Sequence, residues 1–598
     1  MKTHQSTYRQ ARGGQPLHII VTLLFIVCPF IITAQSNEAH HPALKSKQYI
    51  RSEWFAASRT DSSGSMGSYL KALNYSRNEI SGREIPGNYQ LSHWYPLGPF
   101  KTTHPVLAQL GLVSSIWIDT SDFKTIYAGS NTGGIFRTTD GGENWNSLSD
   151  TYLTTGVLSI QVDSRNKKRI YIGTGHLGFS RAYGNGVMMS NDGGVTWEQT
   201  GLSNSTMASN FTVRKLALLP HRPNTLIALV NTEFRLKGYI FRSADSAQNW
   251  QPVYVDDGAE LVAIKTDPGN PDIVYATGNR FLKSTDAGIT WTEMSANLPL
   301  DTNYVISRVE VAKPADDPDM LYVMAETYDT TGTNPSARLD LYKSTDGGAT
   351  YTRIYLEYNP LAGYWKLEFG LSPADADEFY LGGVWLYKYR IEGDSAKYIY
   401  CSDHKYHHDV RDLHIFPTNG KDLLFMANDG GVSKSDTGAE SWVDITRNGL
   451  NITQFHNIAI GENSEMMYAG PQDANLSFYN FETGTWTKNA KVSDAYEGLI
   501  DYSNPDIVYM ISVPPKITRP HIFILKSTDG GGFFDYYGIP DSTEIGRNDK
   551  PIAMDPVDPE TLYVGVRNVW KSVDGAVTWE KISDFSAAGE QKLIATMS

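Results

Sequence analysis

A repeat constrains this chain more than any other feature. A short run centred on an aromatic or branched residue recurs at Tyr127 (IYAG), Tyr171 (IYIG), Ala228 (LIALV), Tyr275 (IVYATG) and Tyr322 (LYVM). It returns at Tyr380 (FYLGG), Phe425 (LLFMA), Tyr468 (MYAG), Tyr509 (IVYM) and Tyr563 (LYVG). That gives ten occurrences at a mean interval of about 48 residues, enough for four short strands with their turns and close to the period of known blade repeats. Helical solenoids have similar periods, but the Tyr, Val, Ile, Thr and Gly content here favours strands.

Before most of these runs lies an alternating segment, as in Ser115-Ile116-Trp117-Ile118-Asp119 or Asp412-Leu413-His414-Ile415-Phe416. A period of two means a strand with one buried side. After most runs a third segment closes on Ser/Thr-x-Asp, and a tight turn leads to a fourth that starts at an aromatic residue. Each unit therefore reads as a four-stranded up-and-down sheet, which is a propeller blade. The expected fold is an all-β propeller with ten units between about Val113 and Ser583. A single ten-bladed ring is the first expectation, and a seven-bladed ring followed by three blades of an incomplete second propeller is the alternative.

The turn after the third strand is the sharpest motif. It reads Thr138-Thr139-Asp140-Gly141-Gly142-Glu143-Asn144-Trp145, then Ser190-Asn191-Asp192-Gly193-Gly194-Val195-Thr196-Trp197. It recurs at Asp245/Trp250, Asp286/Trp291, Asp346/Tyr351 and Asp574/Trp579, in altered form at Asp529/Phe534, and with Thr437 in place of the aspartate between Ser435 and Trp442. The chemistry expected of Asp140, Asp192, Asp245, Asp286, Asp346, Asp529 and Asp574 is structural, because a carboxylate can accept N–H groups of its own turn. A calcium loop needs further carboxylates at alternate positions, and these turns lack them.

Turns of the form S-x-D-x-G-x-T-W resemble the Asp boxes, or BNR repeats, of a propeller superfamily that includes sortilin, glycoside hydrolase family 74 and the sialidases. Stretches such as WYPLGP (94–99), DHKYHHDVRDLH (403–414), MANDGGVSKS (426–435) and GLNITQFHNI (449–458) look like the sortilin-like propellers exported by Bacteroidetes. The resemblance covers about residues 92–583. It implies a propeller that binds a peptide, protein or glycan, or a family 74 hydrolase acting on a β-glucan. Family 74 places one acid in a turn of the form T-D-x-G-G-x-Y-R. The matching stretch here, Ser130 to Arg137, has Asn131 at the acid's position, and an amide cannot act as a general base. For the second acid the nearest candidates are Asp429 and Asp473. The arginine triad and R-I-P motif of sialidases have no counterpart.

Residues 1–35 read as a signal peptide, with a basic opening and an apolar run from Leu17 to Ile32. A stretch of about 16 residues is short for a membrane span, which needs roughly 20, so export without a remaining membrane span is expected, to the cell surface, periplasm or medium. Residues 36–91 read as a linker or cap with short helices around 46–58 and 67–80, and residues 92–598 as the propeller. The formal charge is −14, and loss of the leader's three basic residues takes it to −17. Nucleic acid is therefore excluded as a partner. Cys28 lies in the leader, which leaves Cys401 without an intrachain disulfide partner.

Strand order fixes the faces of the disc. The turns between second and third strands share one face with the loops that enter each blade, and the Ser/Thr-x-Asp turns mark the other. Candidate ligand-binding residues on the loop-bearing face are Asn131, His176, Glu233, Asn428, Asp429, Gln472 and Asp473, joined by His404, His407, His408 and Asp409 of the loop entering the seventh unit. His404, His408 and Asp409 are ligand types for zinc, but their spacing does not define a tetrahedral site, and no metal or cofactor is expected. The absent acid at Asn131 tips the reading towards a non-catalytic binding module for a protein, peptide or polysaccharide. The family 74-like hydrolase remains as the alternative.

Overall fold

The computed structural model describes residues 97–99 and 110–585 apart from short internal stretches, including 177–183, 233–236, 359–366, 403–405, 513–522 and 540–549. The expected leader, the linker with its short helices, Glu233 and His404 lie outside the described residues. Within them the protein is all-β, a propeller built of ten four-stranded units. No helix among the described residues is long and apolar enough to cross a membrane.

Blade 1 shows how the sequence produces the unit. Its inner strand Val113–Ile118 pairs with Ile126–Ser130, which pairs with Gly134–Thr138, which pairs with the two-residue outer strand Asn146–Ser147. Every residue of Ile126–Ser130 is buried, because a second strand has sheet neighbours on both edges and adjacent blades against both faces. Such a strand reads as an unbroken apolar run rather than an alternation, which is why the repeat is audible at that strand. The outer strand, exposed and short, leaves almost no unpaired edge.

The turns behave as structural staples. Asp192 accepts the backbone N–H groups of Val195 and Thr196 and the Thr196 hydroxyl, while Ser190 donates to it at 2.8 Å. Hydrogen bonds from Asn144 and Thr138 hold the Asp140 carboxyl down at about 2. In the altered copy the Thr437 hydroxyl takes the aspartate's place and accepts Ser441 N–H at 2.8 Å.

Closure of the ring follows from a contact that blades 1 and 2 each make to the preceding blade, whereas Trp250 and Trp291 of blades 3 and 4 bond within their own turns. Trp197 of blade 2 donates from Nε1 to the carbonyl of Leu148 in blade 1, at 2.9 Å. Trp145 of blade 1 makes the same 2.9 Å bond to the carbonyl of Ile445, the equivalent residue of blade 7. Gly142 and Gly194 stand in the same relation. Each has positive φ, and a Cβ on either would lie 2.6 Å or less from an atom of Ile445 or Leu148. One core joins Ile116, Phe136 and Trp145 of blade 1 to Phe425, Val432 and Ile445 of blade 7, and Asp412 of blade 7 accepts Ile116 N–H at 3.0 Å. Blade 1 thus packs on blade 7 and not on blade 10. The closure seen is that of the alternative arrangement, which corrects the expectation of a single ten-bladed ring.

Blades 8 to 10 form their own stack, with one core between blades 8 and 9 and another between 9 and 10. Blade 8 meets the ring at its loop-bearing face, where Gln454 Nε2 donates to Thr132 Oγ1 at 2.6 Å. Blades 5 and 6 are joined at their outer edges by parallel pairing of Tyr355 and Leu356 with Ser395 and Ala396, making an eight-stranded sheet.

Candidate functional site

The loop that enters blade 7 and the turns of blades 1, 2, 7 and 8 meet on one face. His407 is the hub. Its Nε2–H donates to the carbonyl oxygen of Asp473 in blade 8 at 2.6 Å, and its Nδ1 lies 3.0 Å from the carbonyl oxygen of His408 and 3.2 Å from His408 Nδ1. Burial, followed by the neighbouring His408, pulls the His407 pKa down, against the opposing pull of Asp429 and the His408 carbonyl. Asp473 and Asp409 are partly exposed and both have positive φ, 50° and 72°. Aspartate tolerates that conformation better than most residues, and such backbone strain persists where the surroundings over-determine it. Gln472 Nε2 donates to Asp473 Oδ2 at 2.8 Å.

Asp429 has a different role from Asp473. Its carboxylate is 1% exposed and is gripped in bidentate fashion by Arg411, with Nη2 donating at 2.6 Å and Nε to the other oxygen. A buried carboxylate held by a guanidinium fork makes a strong charge-assisted pair and does not face solvent. Neighbouring Asn428 is also internal, with its Oδ1 accepting Gly430 N–H at 2.9 Å.

Asn131 and His176 lie together. The Asn131 amide donates to His176 Nε2 at 2.8 Å, which requires an unprotonated Nε2. Burial, then the positive charges of Arg411 and Arg214, bring the His176 pKa down to about 4. The face therefore gathers Asn131, His176, His407, His408, Asp409, Asp429, Gln472 and Asp473, while His404 and Glu233 lie outside the described residues. Among the described residues no group of three or more His, Cys, Asp or Glu side chains is arranged to hold a metal ion.

Sequence reasoning passed over the charged residues on the inner strands. Lys215 of blade 3 pairs with Asp412 of blade 7 at 3.1 Å, and Arg308 of blade 5 pairs with Glu310 at 3.0 Å. Burial acts to raise the Asp412 carboxyl, but Lys215, His414 and the Ile116 N–H together hold it well below the usual carboxylate range. The signal was present in the sequence, since a charged residue in an alternating inner strand must face either a neighbouring blade or the central channel.

No protein-family model matches the chain. It is 24% identical over 343 residues to the xyloglucanase Xgh74A of Acetivibrio thermocellus, covering 49% of this chain and 35% of that protein. A xyloglucanase of Paenibacillus sp. is 26% identical over 217 residues, 30% of this chain and 21% of its own length. One from Hypocrea jecorina is 33% identical over 75 residues, 11% of this chain and 9% of its own. The chain thus spans between 9% and 35% of the length of these relatives. Among solved structures, an ancestral GH74 enzyme matches with a TM-score of 0.57 at 15% identity, over 81% of this chain and 71% of that one. The fold is that of a GH74-like β-propeller. In this GH74-like propeller the seven inner strands of the closed ring surround a channel, and the candidate site lies at its loop-bearing mouth, where the eighth blade is seated.

Proposed function

We propose that the chain is an exported, glycoside hydrolase-like propeller that acts on a β-glucan of the xyloglucan type, bound across the loop-bearing face between the ring and blade 8. The observation that carries this reading is the bond from His407 to Asp473. It holds two partly exposed carboxylates, Asp473 and Asp409, on one face. Hydrolysis of a glycosidic bond needs two such groups flanking the scissile linkage, one to protonate the leaving oxygen and one to activate water or attack directly. Asp429, locked by Arg411, supports the face and takes no part in proton transfer. The alignments to xyloglucanases favour polysaccharide as the ligand class.

The test is incubation of the purified chain with xyloglucan, scored for bound polysaccharide and released sugars. Asp473→Asn and Asp409→Asn should each abolish release and retain binding, because proton transfer is lost while shape is kept. Absence of both binding and release on xyloglucan and other β-glucans would overturn the proposal.

One observation favours a non-catalytic reading, in which the same face only binds. Asn131 stands where the family 74 resemblance implies an acid, and its amide is engaged with His176. Binding without release by the unaltered chain would select this second reading.

A further inference from the structure

Inside the seven-bladed ring lies a cavity of about 320 Å3 that draws its lining from the inner strands of all seven blades. It runs from Arg411 and Glu368 at the loop-bearing end towards Leu218 and Thr266. A volume near the lower end of small-ligand pockets suits a molecule of about monosaccharide size. It cannot hold a polysaccharide chain, so this is a place apart from the site on the loop-bearing face.

The charges on the wall are unevenly matched. Lys215 pairs with Asp412, Arg308 with Glu310, and Arg411 with Asp429. Lys265 adds a further positive charge, Arg214 also lines the wall, and His414 stands 3.4 Å from Asp412. Glu368 is the remaining acid. Among the described residues, its carboxyl and the Lys265 ammonium form no hydrogen bond or ion pair with a side chain. Glu310 Oε2 also has no hydrogen-bond partner, although Glu310 is 1% exposed. Burial, then the negative charges of Glu310 and Asp412, push the Glu368 carboxyl up to about 7 against the opposing pull of Lys215 and Lys265. When Glu368 carries its proton the channel is a cationic enclosure in a protein whose formal charge is −14.

We propose that this channel is a binding site for a small organic carboxylate such as a sugar acid, held by Lys265 and Glu368. The Lys265 ammonium supplies a charge-assisted donor, and the Glu368 acid O–H supplies a second, which together match the two oxygens of a carboxylate. Ionised Glu368 would instead repel the ligand, so binding takes in a proton wherever Glu368 starts ionised. The three internal ion pairs keep the other wall charges fixed.

The experiment is calorimetric titration of the whole chain with glucuronate at pH 6 and pH 8, with glucose and inorganic phosphate as comparison ligands. Glucuronate should bind at millimolar concentration or tighter, with affinity about tenfold weaker at pH 8 than at pH 6 as Glu368 ionises. Glucose should not bind at the same concentrations. Glu368→Gln, which keeps a donor but cannot ionise, should bind with no pH slope. Lys265→Met should abolish binding, and Lys265→Gln serves in its place if that variant does not melt cooperatively. Silence of glucuronate at pH 6, equal binding of glucose, tighter binding of phosphate, or a pH slope surviving in Glu368→Gln would each overturn the proposal. These ligands are too small to report on β-glucan cleavage, so failure here leaves the reading of the loop-bearing face to its own assay.

Discussion

His407 Nε2 donates a 2.6 Å hydrogen bond to the carbonyl oxygen of Asp473, a residue 66 positions away and in another stack of blades. Through this bond the entry loop of blade 7 and a turn of blade 8 become one surface. Asp473 has positive φ, so the bond also holds a conformation that the local sequence does not favour.

Replacing His407 with Phe keeps the ring's bulk and removes the donor. The Asp473 carbonyl then loses its partner at a cost of about 1–3 kcal/mol. The loss should be local, because each blade contacts mainly its neighbours. Amide exchange should quicken in residues 471–475 while protection in blades 3 and 4 is unchanged. Unchanged exchange throughout would show that other contacts seat blade 8.

Trp145 closes the ring, whereas Trp579 of blade 10 bonds within its own turn, to Ala576. Trp145→Ala should cost about 3–5 kcal/mol, as large-to-small changes of buried aromatics do, and Trp579→Ala should cost less. Denaturant melts of the two variants check this, and equal losses would argue against closure through blade 1.

Those two tryptophans also mark where the sequence was readable and where it stopped. The unit was legible because its second strand is buried on both faces, and the faces of the disc followed from strand order alone. Ring closure was not legible. Trp145 and Trp579 carry the same turn signature, and nothing near either residue says which blade lies against it. The site was half legible for a similar reason. Polar residues in the turns were visible, but the separation of Asp429 from Asp473 depends on Arg411, which reaches Asp429 from 18 residues away across the sheet. Glu368 stayed hidden because its surroundings, Glu310, Asp412 and Lys265, come from three other blades.

Arg411 and Asp429 should behave as a structural pair. Arg411→Leu leaves a buried carboxylate without its cation and should cost about 3–5 kcal/mol, while Arg411→Leu with Asp429→Leu should recover much of that loss. Thermal melts of the single and double variants measure the coupling. A double variant as unstable as the single would mean that Asp429 does more than balance Arg411.

Asn131→Asp restores the carboxylate that the family 74 resemblance implies. Next to His176 it would stabilise the imidazolium and raise a pKa that now stands at about 4. Sugar release from xyloglucan should increase, and the His176 titration followed by NMR should move upward. If the titration moves and release does not, Asn131 is not at a catalytic position.

His176 also makes the fold sensitive to acid. Its pKa falls from 6.5 to about 4 in the folded chain because burial, Arg411 and Arg214 oppose its charging. A basic group whose folded pKa is depressed binds its proton more readily when unfolded, so stability rises with pH wherever the unfolded chain is the more protonated. Its contribution is complete above about pH 6.5 and is lost progressively as pH falls towards 4, amounting to about 3 kcal/mol over the interval at 1.36 kcal/mol per unit. His407, shifted in the same direction by burial and His408, adds to the slope. His176→Gln keeps an acceptor for the Asn131 amide and cannot charge, so its unfolding free energy should fall less steeply than that of the parent between pH 6.5 and 4.5. The difference between the two curves isolates His176 from the carboxylates that titrate over the same range. Parallel curves would mean that His176 is protonated within the folded chain and that the Asn131 contact has the opposite donor.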